Sequence, residues 1–252
     1  MPKLPIALQL YTVRDAAEKD YLGTLRQVAQ IGYANVELAG TYGLSPRELR
    51  QVLDDVGLTV ISNHAPLDLL EQDLAGVIEA NQTLGNRHVI VPYLPEPRRK
   101  TLDDWRQVAE AFNRFGRELR KAGMYFGYHN HAFEFETFNG KAALDWFYEW
   151  TDPEYVKAEI DTYWVQYGGQ DPAAYLRKYA ARVAFVHIKD MEPGPERMFA
   201  EIGEGILDWP AIFEAAEAGT ARGYIVEQDR WRRPSVESAR LSFENLKKMG
   251  KA

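Results

Sequence analysis

The chain is predicted to be an α/β protein folded as one (β/α)8 TIM barrel, and three features of the sequence predict it. Eight short apolar runs alternate with longer helix-period segments from end to end. Most runs are apolar at nearly every position, as strands are when helices cover both faces of a parallel sheet. Glycine recurs where a helix gives way to a strand. Eight helix–Gly–strand units point to a closed barrel. The rival, an open doubly wound sheet, usually carries a Gly-rich phosphate loop after its first strand, and this sequence has none.

The expected strands are Ile6–Leu10, Asn35–Leu38, Thr59–Asn63, His88–Tyr93, Tyr125–Asn130, Val156–Asp161, Val183–Ile188 and Gly223–Gln228. Between them, Asp20–Ile31, Ser45–Val56, Asp73–Leu84, Leu102–Ala122, Leu144–Trp150, Asp171–Tyr179 and Trp209–Ala218 place apolar residues at three- and four-residue spacing, as amphipathic helices do. Ser235–Met249 is the closing helix. Ser45 followed by Glu48 spells a capping box. Pro172 and Pro210 stand just inside helix starts, where a missing N–H costs nothing. Gly32, Gly57, Gly85 and Gly123 each end a helix and lead into a strand, and Gly223 plays a similar part before the last one. No Pro- or Gly-rich linker interrupts the pattern, so residues 1–252 are expected to form one domain.

Composition narrows the chemistry. The chain has no cysteine, which excludes disulfides, thiolate metal sites and cysteine nucleophiles. The net charge of −7 argues against a non-specific nucleic-acid binder. The N-terminal apolar run is too short for a signal peptide, and no stretch reaches the length of a membrane span. A soluble cytoplasmic protein is the expectation.

Active sites of (β/α)8 barrels lie at the C-terminal ends of the strands. Four of the five histidines fall there: His64, His129, His131 and His187. His88 sits at a strand start and is expected to be a satisfied core residue. Glu37, Asp161 and Glu227 each follow an apolar run, and charges are seldom buried there without a partner or a metal. Side chains alternate along a strand, so His129 and His131 share a face, as do Glu159 and Asp161, His187 and Lys189, and Glu227 and Asp229. Glu159 is expected either in this ring or in a salt bridge with Lys189 or another mouth cation. Mixed imidazole and carboxylate ligands suit Mn²⁺, Co²⁺, Zn²⁺ or Fe²⁺ better than Ca²⁺.

The sequence resembles the sugar phosphate isomerase/epimerase superfamily, whose barrels are similar to xylose isomerase and endonuclease IV. The pieces that carry the resemblance are Leu8-Gln9-Leu10-Tyr11-Thr12, Val36-Glu37-Leu38, Asn63-His64-Ala65-Pro66 and Tyr128-His129-Asn130-His131. They continue with Glu159-Ile160-Asp161-Thr162, Val186-His187-Ile188-Lys189-Asp190, Gly203-Glu204-Gly205 and Val226-Glu227. Each piece is weak alone; their order on successive strands is the signal. The resemblance implies a xylose isomerase-like barrel with one divalent metal ion (Mn, Co, Zn, Fe or Mg). Family members hold it with Glu, Asp, His and Glu from strands five to eight. The last three correspond to Asp161, His187 and Glu227, while His129 fills the place of the first Glu.

That resemblance implies proton transfer next to a carbonyl through an ene-diolate, on a sugar or keto-sugar with or without a phosphate. Glu227 is the expected base, His64 or His131 the second acid/base, and Lys189 the electrophile or oxyanion stabiliser. Gln9, Tyr11, Glu37, Asn130 and Trp164 are the expected substrate contacts, with Phe133 and Trp209 as further aromatic walls. The family's epimerases use both glutamates as the acid/base pair, and this chain keeps only Glu227. A Tyr-His-x-His fifth strand looks more like inosose dehydratase, so a lyase or dehydratase acting on a keto-sugar or inosose is the alternative. A barrel that only binds sugar is another. An endonuclease IV-like nuclease would need more ligands than Tyr93-Leu94-Pro95 and Trp164 leave room for. Gly203-Glu204-Gly205 is expected to be a loop turn, and the arginines of 229–233 solvated surface within reach of a phosphate. Barrels of this group are often dimers or tetramers, so the resemblance allows a homo-oligomer.

Overall fold

A computed structural model of the protein describes residues 3–252, so Met1 and Pro2 of the expected domain lie outside the described residues. Eight parallel strands close into a barrel. They are β1 (Ile6–Gln9), β2 (Asn35–Leu38), β3 (Thr59–His64), β4 (His88–Val91), β5 (Tyr125–His129), β6 (Lys157–Asp161), β7 (Val183–Ile188) and β8 (Tyr224–Val226). Each strand pairs with its sequence neighbours, and β8 closes on β1 through Ile6 opposite Tyr224 and Leu8 opposite Val226. The helices around it are α1 (Arg14–Ala17), α2 (Tyr21–Ile31), α3 (Pro46–Val56), α4 (Leu67–Thr83), α5 (Leu102–Lys121), α6 (Ala143–Trp150), α7 (Thr162–Tyr167), α8 (Pro172–Lys178), α9 (Trp209–Glu217) and α10 (Ser235–Lys248). None of these is long and apolar enough to cross a membrane.

Strand parity builds two different cores. Leu8, Val36, Val60, Val89, Phe126, Ile160, Val186 and Val226 face outward and pack with the helices in one large apolar cluster. Ala7, Ala184, Phe185 and Ile225 form a small separate cluster, partly covered by Ile61. Toward the C-terminal ends of the strands the buried inward positions include Gln9, Glu37, His129, Glu159, Asp161 and His187.

The local signals are realised. Ser45 and Glu48 bond reciprocally across the first turn of α3, and Gly57 ends that helix at φ 75°, where a Cβ would be strained. Gly32, Gly85 and Gly123 also have positive φ, but Gly223 does not. Gly223 is instead a close approach, because a Cβ there would stand 3.1 Å from the Pro5 carbonyl oxygen.

Several boundaries differ from expectation. Leu10 begins a 3-10 turn, β4 stops at Val91, β5 at His129 and β8 at Val226. The fourth helix starts at Leu67 and breaks at Asp73, whose φ of −149° is not helical. Asp73 accepts from the Gly76 amide, so it acts as an internal cap, which is why it read as a helix start. Helices α1 and α7 and two small hairpins, Thr137–Phe138 with Lys141–Ala142 and Asp190–Met191 with Phe199–Ala200, were not expected. These pieces are too short for a periodic signal to accumulate.

Candidate active site

Neighbouring strands bring the polar residues side by side. Gln9 pairs in register with Glu37, His129 with Glu159, and Asp161 with His187. Glu227 follows β8 directly, and Lys189 follows β7. All these side chains are buried at the centre of the barrel.

A lower layer is built on two carboxylates. Glu159 Oε2 lies 2.9 Å from His64 Nε2, 3.1 Å from His187 Nε2 and 3.2 Å from His129 Nδ1. Glu37 Oε2 lies 2.7 Å from His187 Nε2 and 3.1 Å from His64 Nε2, and accepts from Gln9 Nε2 at 2.7 Å. An upper layer is built on Lys189. Its ammonium lies 2.6 Å from Glu227 Oε2, and 3.0 Å from both Asp161 Oδ2 and Asp229 Oδ2. His187 joins the layers, since its Nδ1 lies 2.9 Å from Glu227 Oε2. His129 does the same, with Nε2 3.5 Å from Asp161 Oδ2.

Burial and charge oppose one another here. Burial pushes the Glu159 carboxyl up, but His187, His129 and His64 together hold it well below the usual carboxylate range. Burial likewise works against the Glu227 anion, and Lys189 and His187 outweigh it. Asp161 is pushed up to about 6 by burial, against the pull of Lys189. His131 is pushed down to about 3, first by burial and then by the Lys189 charge, so it is a neutral imidazole.

Two donor sets have the spacing of metal ligands: His129, Asp161, His187 and Glu227 at the mouth, and His64, His129, Glu159 and His187 below. Within each, the ligating atoms lie within 4.8 Å of one another. The mouth set fits a divalent ion by an observation of its own. Asp161 Oδ2 is fully buried and ion-pairs with Lys189, yet accepts no aligned hydrogen bond. Two imidazole nitrogens and two carboxylate oxygens suit Mn²⁺, Fe²⁺, Co²⁺ or Zn²⁺.

Above lies a cavity of about 600 Å³. Tyr11, His64, His129, His131, Lys189 and Glu227 line it, so six of the expected site residues share one space. Its other side, toward α3 and α4, is apolar and includes Leu69, Val77 and Leu84. Trp164 lines a neighbouring smaller cavity with Arg14, Arg197 and Arg230, and its ring centroid lies 5.2 Å from that of His131.

Gln9, Glu37 and Asn130, expected as substrate contacts, are fully buried and do not line this cavity. Gln9 braces Glu37 and accepts the Tyr11 amide, while Asn130 Oδ1 accepts the Asp161 amide. Trp209 is also packing, because its Nε1 donates to Asp190. Glu159 does not pair with Lys189, which lies with Asp161, Glu227 and Asp229 instead. Arg232 and Arg233 are engaged by Glu192, Glu196 and Glu204. His88 lies at the far end of the barrel, stacked on Tyr125 with Nδ1 3.0 Å from the Ile61 carbonyl.

Two supporting acids went unnoticed in the sequence. Glu134, fully buried, accepts the His131 amide and the Tyr128 hydroxyl, which fixes the turn that carries His131. Asp190 accepts from the Gly203, Gly205 and Leu207 amides and from Trp209, so the Gly-Glu-Gly segment is a turn wrapped around a carboxylate. The Lys-Asp pair after His187 was the available signal for Asp190; nothing in the sequence distinguishes Glu134.

The sequence model for the xylose isomerase-like TIM barrel matches residues 25–249. An inosose dehydratase of Geobacillus kaustophilus is 26% identical over 248 residues, covering 81% of this chain and 79% of that one. A sugar phosphate isomerase/epimerase structure from Parabacteroides distasonis is 27% identical with a TM-score of 0.82, covering 98% and 94% of the two chains. A structure of the IOLI protein with a zinc atom bound shares the fold at a TM-score of 0.76 and 13% identity, covering 98% and 99%.

Proposed function

The chain belongs to the xylose isomerase-like TIM barrel family, and on that premise we propose a divalent-metal-dependent isomerase or epimerase of a sugar or keto-sugar. The observation that supports this reading most is the meeting of Glu227, Lys189 and His131 on one cavity wall, directly above the His129–Asp161–His187–Glu227 donor set. An ion held by those four residues supplies Lewis-acid polarisation of a carbonyl and its neighbouring hydroxyl.

The chain's own groups handle the protons. Glu227 takes the proton on the carbon beside the carbonyl. The Lys189 ammonium, 2.6 Å from Glu227, lies where it stabilises the developing oxyanion. His131 is neutral and its buried Nδ1 has no partner, so it is the second acid/base, while His64 lines the cavity beside it. Return of a proton to the opposite face of the same carbon inverts it, and return to the neighbouring carbon isomerises the sugar. Tyr11 and Tyr93 are exposed at the rim, where aromatic faces stack on sugar rings.

The 26% identical inosose dehydratase favours a second reading on the same chemistry. The enolate then expels the hydroxyl on its β-carbon, which leaves as water with the proton that Glu227 took from the neighbouring carbon. The test is solvent deuterium exchange by metal-loaded protein into a panel of keto-sugars and inososes, followed by NMR. Exchange that disappears in Glu227→Gln supports the proposal, and loss of water from the product selects the second reading. Absence of exchange into every member of the panel would overturn both.

A further inference from the structure

We propose that His64, His129, Glu159 and His187 form a second divalent-cation position, one layer below the mouth, that competes with the mouth position for the same ion. This goes beyond the reaction proposed above and does not depend on its substrate. Three imidazole nitrogens from three strands converge on one carboxylate oxygen: His64 Nε2 at 2.9 Å, His187 Nε2 at 3.1 Å and His129 Nδ1 at 3.2 Å from Glu159 Oε2. A tetrahedral ion with bonds of about 2.0–2.1 Å sets its ligands about 3.3 Å apart, so the edges at Glu159 already have nearly that length. The four ligating atoms lie within 4.8 Å of one another.

The charges below also call for a cation. Glu37 and Glu159 are both fully buried, and Glu37 Oε1 and Glu159 Oε1 have no hydrogen-bond partner. Glu37 Oε2, 3.1 Å from His64 Nε2 and 2.7 Å from His187 Nε2, is a fifth donor on the same cage. The nearest lysine does not serve them, because Lys189 is engaged by Asp161, Glu227 and Asp229 in the layer above. Buried carboxylates are paired or hold a metal, and the groups beside Glu159 and Glu37 are imidazoles, which serve either role.

The two positions exclude one another through shared rings. The lower position uses His129 Nδ1 and His187 Nε2, and the mouth uses His129 Nε2 and His187 Nδ1. A neutral imidazole has one lone pair, so each ring serves one position at a time. With the ion at the mouth, both rings turn N–H groups down toward Glu159 and Glu37. With the ion below, the N–H groups face Asp161 and Glu227. The ion therefore follows the tautomer of two histidines. Three nitrogens and one oxygen below favour Zn²⁺ or Co²⁺, whereas the oxygen-richer mouth is more tolerant of Mn²⁺.

The test is Co²⁺ titration of the metal-free full chain, read by visible absorption and by metal analysis after dialysis. Melting curves of each metal-free variant check folding. The mouth variant Asp161→Asn/Glu227→Gln should still bind about one equivalent, with the intense d–d bands of a tetrahedral ion. Adding His64→Asn or Glu159→Gln to it should weaken binding at least about tenfold; if the Glu159 variant does not fold, the rim-side His64 variant decides. Wild type should bind one equivalent. The proposal is overturned if the mouth variant binds no Co²⁺, if its binding is indifferent to His64 and Glu159, or if wild type binds two. The mouth reading has a separate arm: it fails if His64→Asn and Glu159→Gln in the otherwise wild-type chain abolish metal binding altogether.

Discussion

The Lys189 ammonium lies 2.6 Å from Glu227 Oε2 in the buried centre of the barrel. It also lies 3.0 Å from Asp161 Oδ2 and from Asp229 Oδ2, so one cation faces three carboxylates. Burial alone would lower the lysine, but Asp161, Asp229 and Glu227 hold it well above its ordinary range. Removing one partner of a buried ion pair costs about 3–5 kcal/mol, because the remaining charge is stranded. Lys189→Met is therefore expected to lose about 3 kcal/mol of stability when metal-free. Saturating Mn²⁺ or Co²⁺ should raise its Tm more than that of wild type, since the ion then does the neutralising. Calorimetry with and without metal checks this, and equal Tm values in the metal-free proteins would contradict it.

Asp190 fixes the loop after β7 from one carboxylate. Its Oδ2 accepts from Gly203 N at 2.9 Å, Gly205 N at 3.1 Å and Trp209 Nε1 at 2.8 Å. Its Oδ1 accepts from Met191 N at 2.8 Å and Leu207 N at 3.2 Å. Hydrogen bonds to a charged acceptor contribute about 1.5–3 kcal/mol each, and these share one acceptor, so Asp190→Ala is expected to cost about 3 kcal/mol. Limited proteolysis should then cut between residues 192 and 207 before the barrel opens. Cleavage there at the wild-type rate would show that the loop holds without Asp190.

Fold and candidate donor set were legible for different reasons. Apolar runs, helix period and the glycines at positions 32, 57, 85 and 123 are local signals, and a closed barrel satisfies all of them. His129, Asp161, His187 and Glu227 stood out because histidines and acids gather at the strand ends and because the family resemblance sets them, with His129 in place of a Glu, at ligand positions. Depth was not legible. Glu37 and Tyr11 both stand near strand ends, yet one is fully buried and the other exposed, since strand stagger and side-chain length decide which reaches the cavity. Glu159 shares the face of Asp161, and alternation predicted that much. Its three imidazole neighbours come from β3, β5 and β7, a meeting that only the closed barrel makes.

Glu134 gives the barrel a pH dependence. Burial raises its carboxyl from 4.5 to about 8, against the opposing bonds from Tyr128 and the His131 amide. A raised carboxyl binds its proton more tightly in the folded chain, so its contribution is fully present below about 4.5 and is lost as pH rises through about 8. Glu134→Gln mimics the neutral form and should remove this dependence. Urea unfolding between pH 5 and 8 should show wild type losing stability relative to the variant, on the order of a few kcal/mol. Parallel stability profiles would mean that Glu134 has its ordinary acidity in the fold.

Gly116 sets two magnitudes against each other. It sits inside α5, where alanine is favoured over glycine by about 1 kcal/mol. A Cβ at this position would lie 2.3 Å from the Tyr155 carbonyl oxygen and 2.8 Å from its carbon, and that backbone leads into β6. Overpacking against a fixed backbone costs about 1–3 kcal/mol or more, so the clash outweighs the helix propensity. Gly116→Ala is expected to lower stability by up to about 2 kcal/mol after the helical gain is offset. If α5 can slide from β6 without loss, the same variant will melt higher than wild type, so the sign of the Tm change decides whether this contact is rigid.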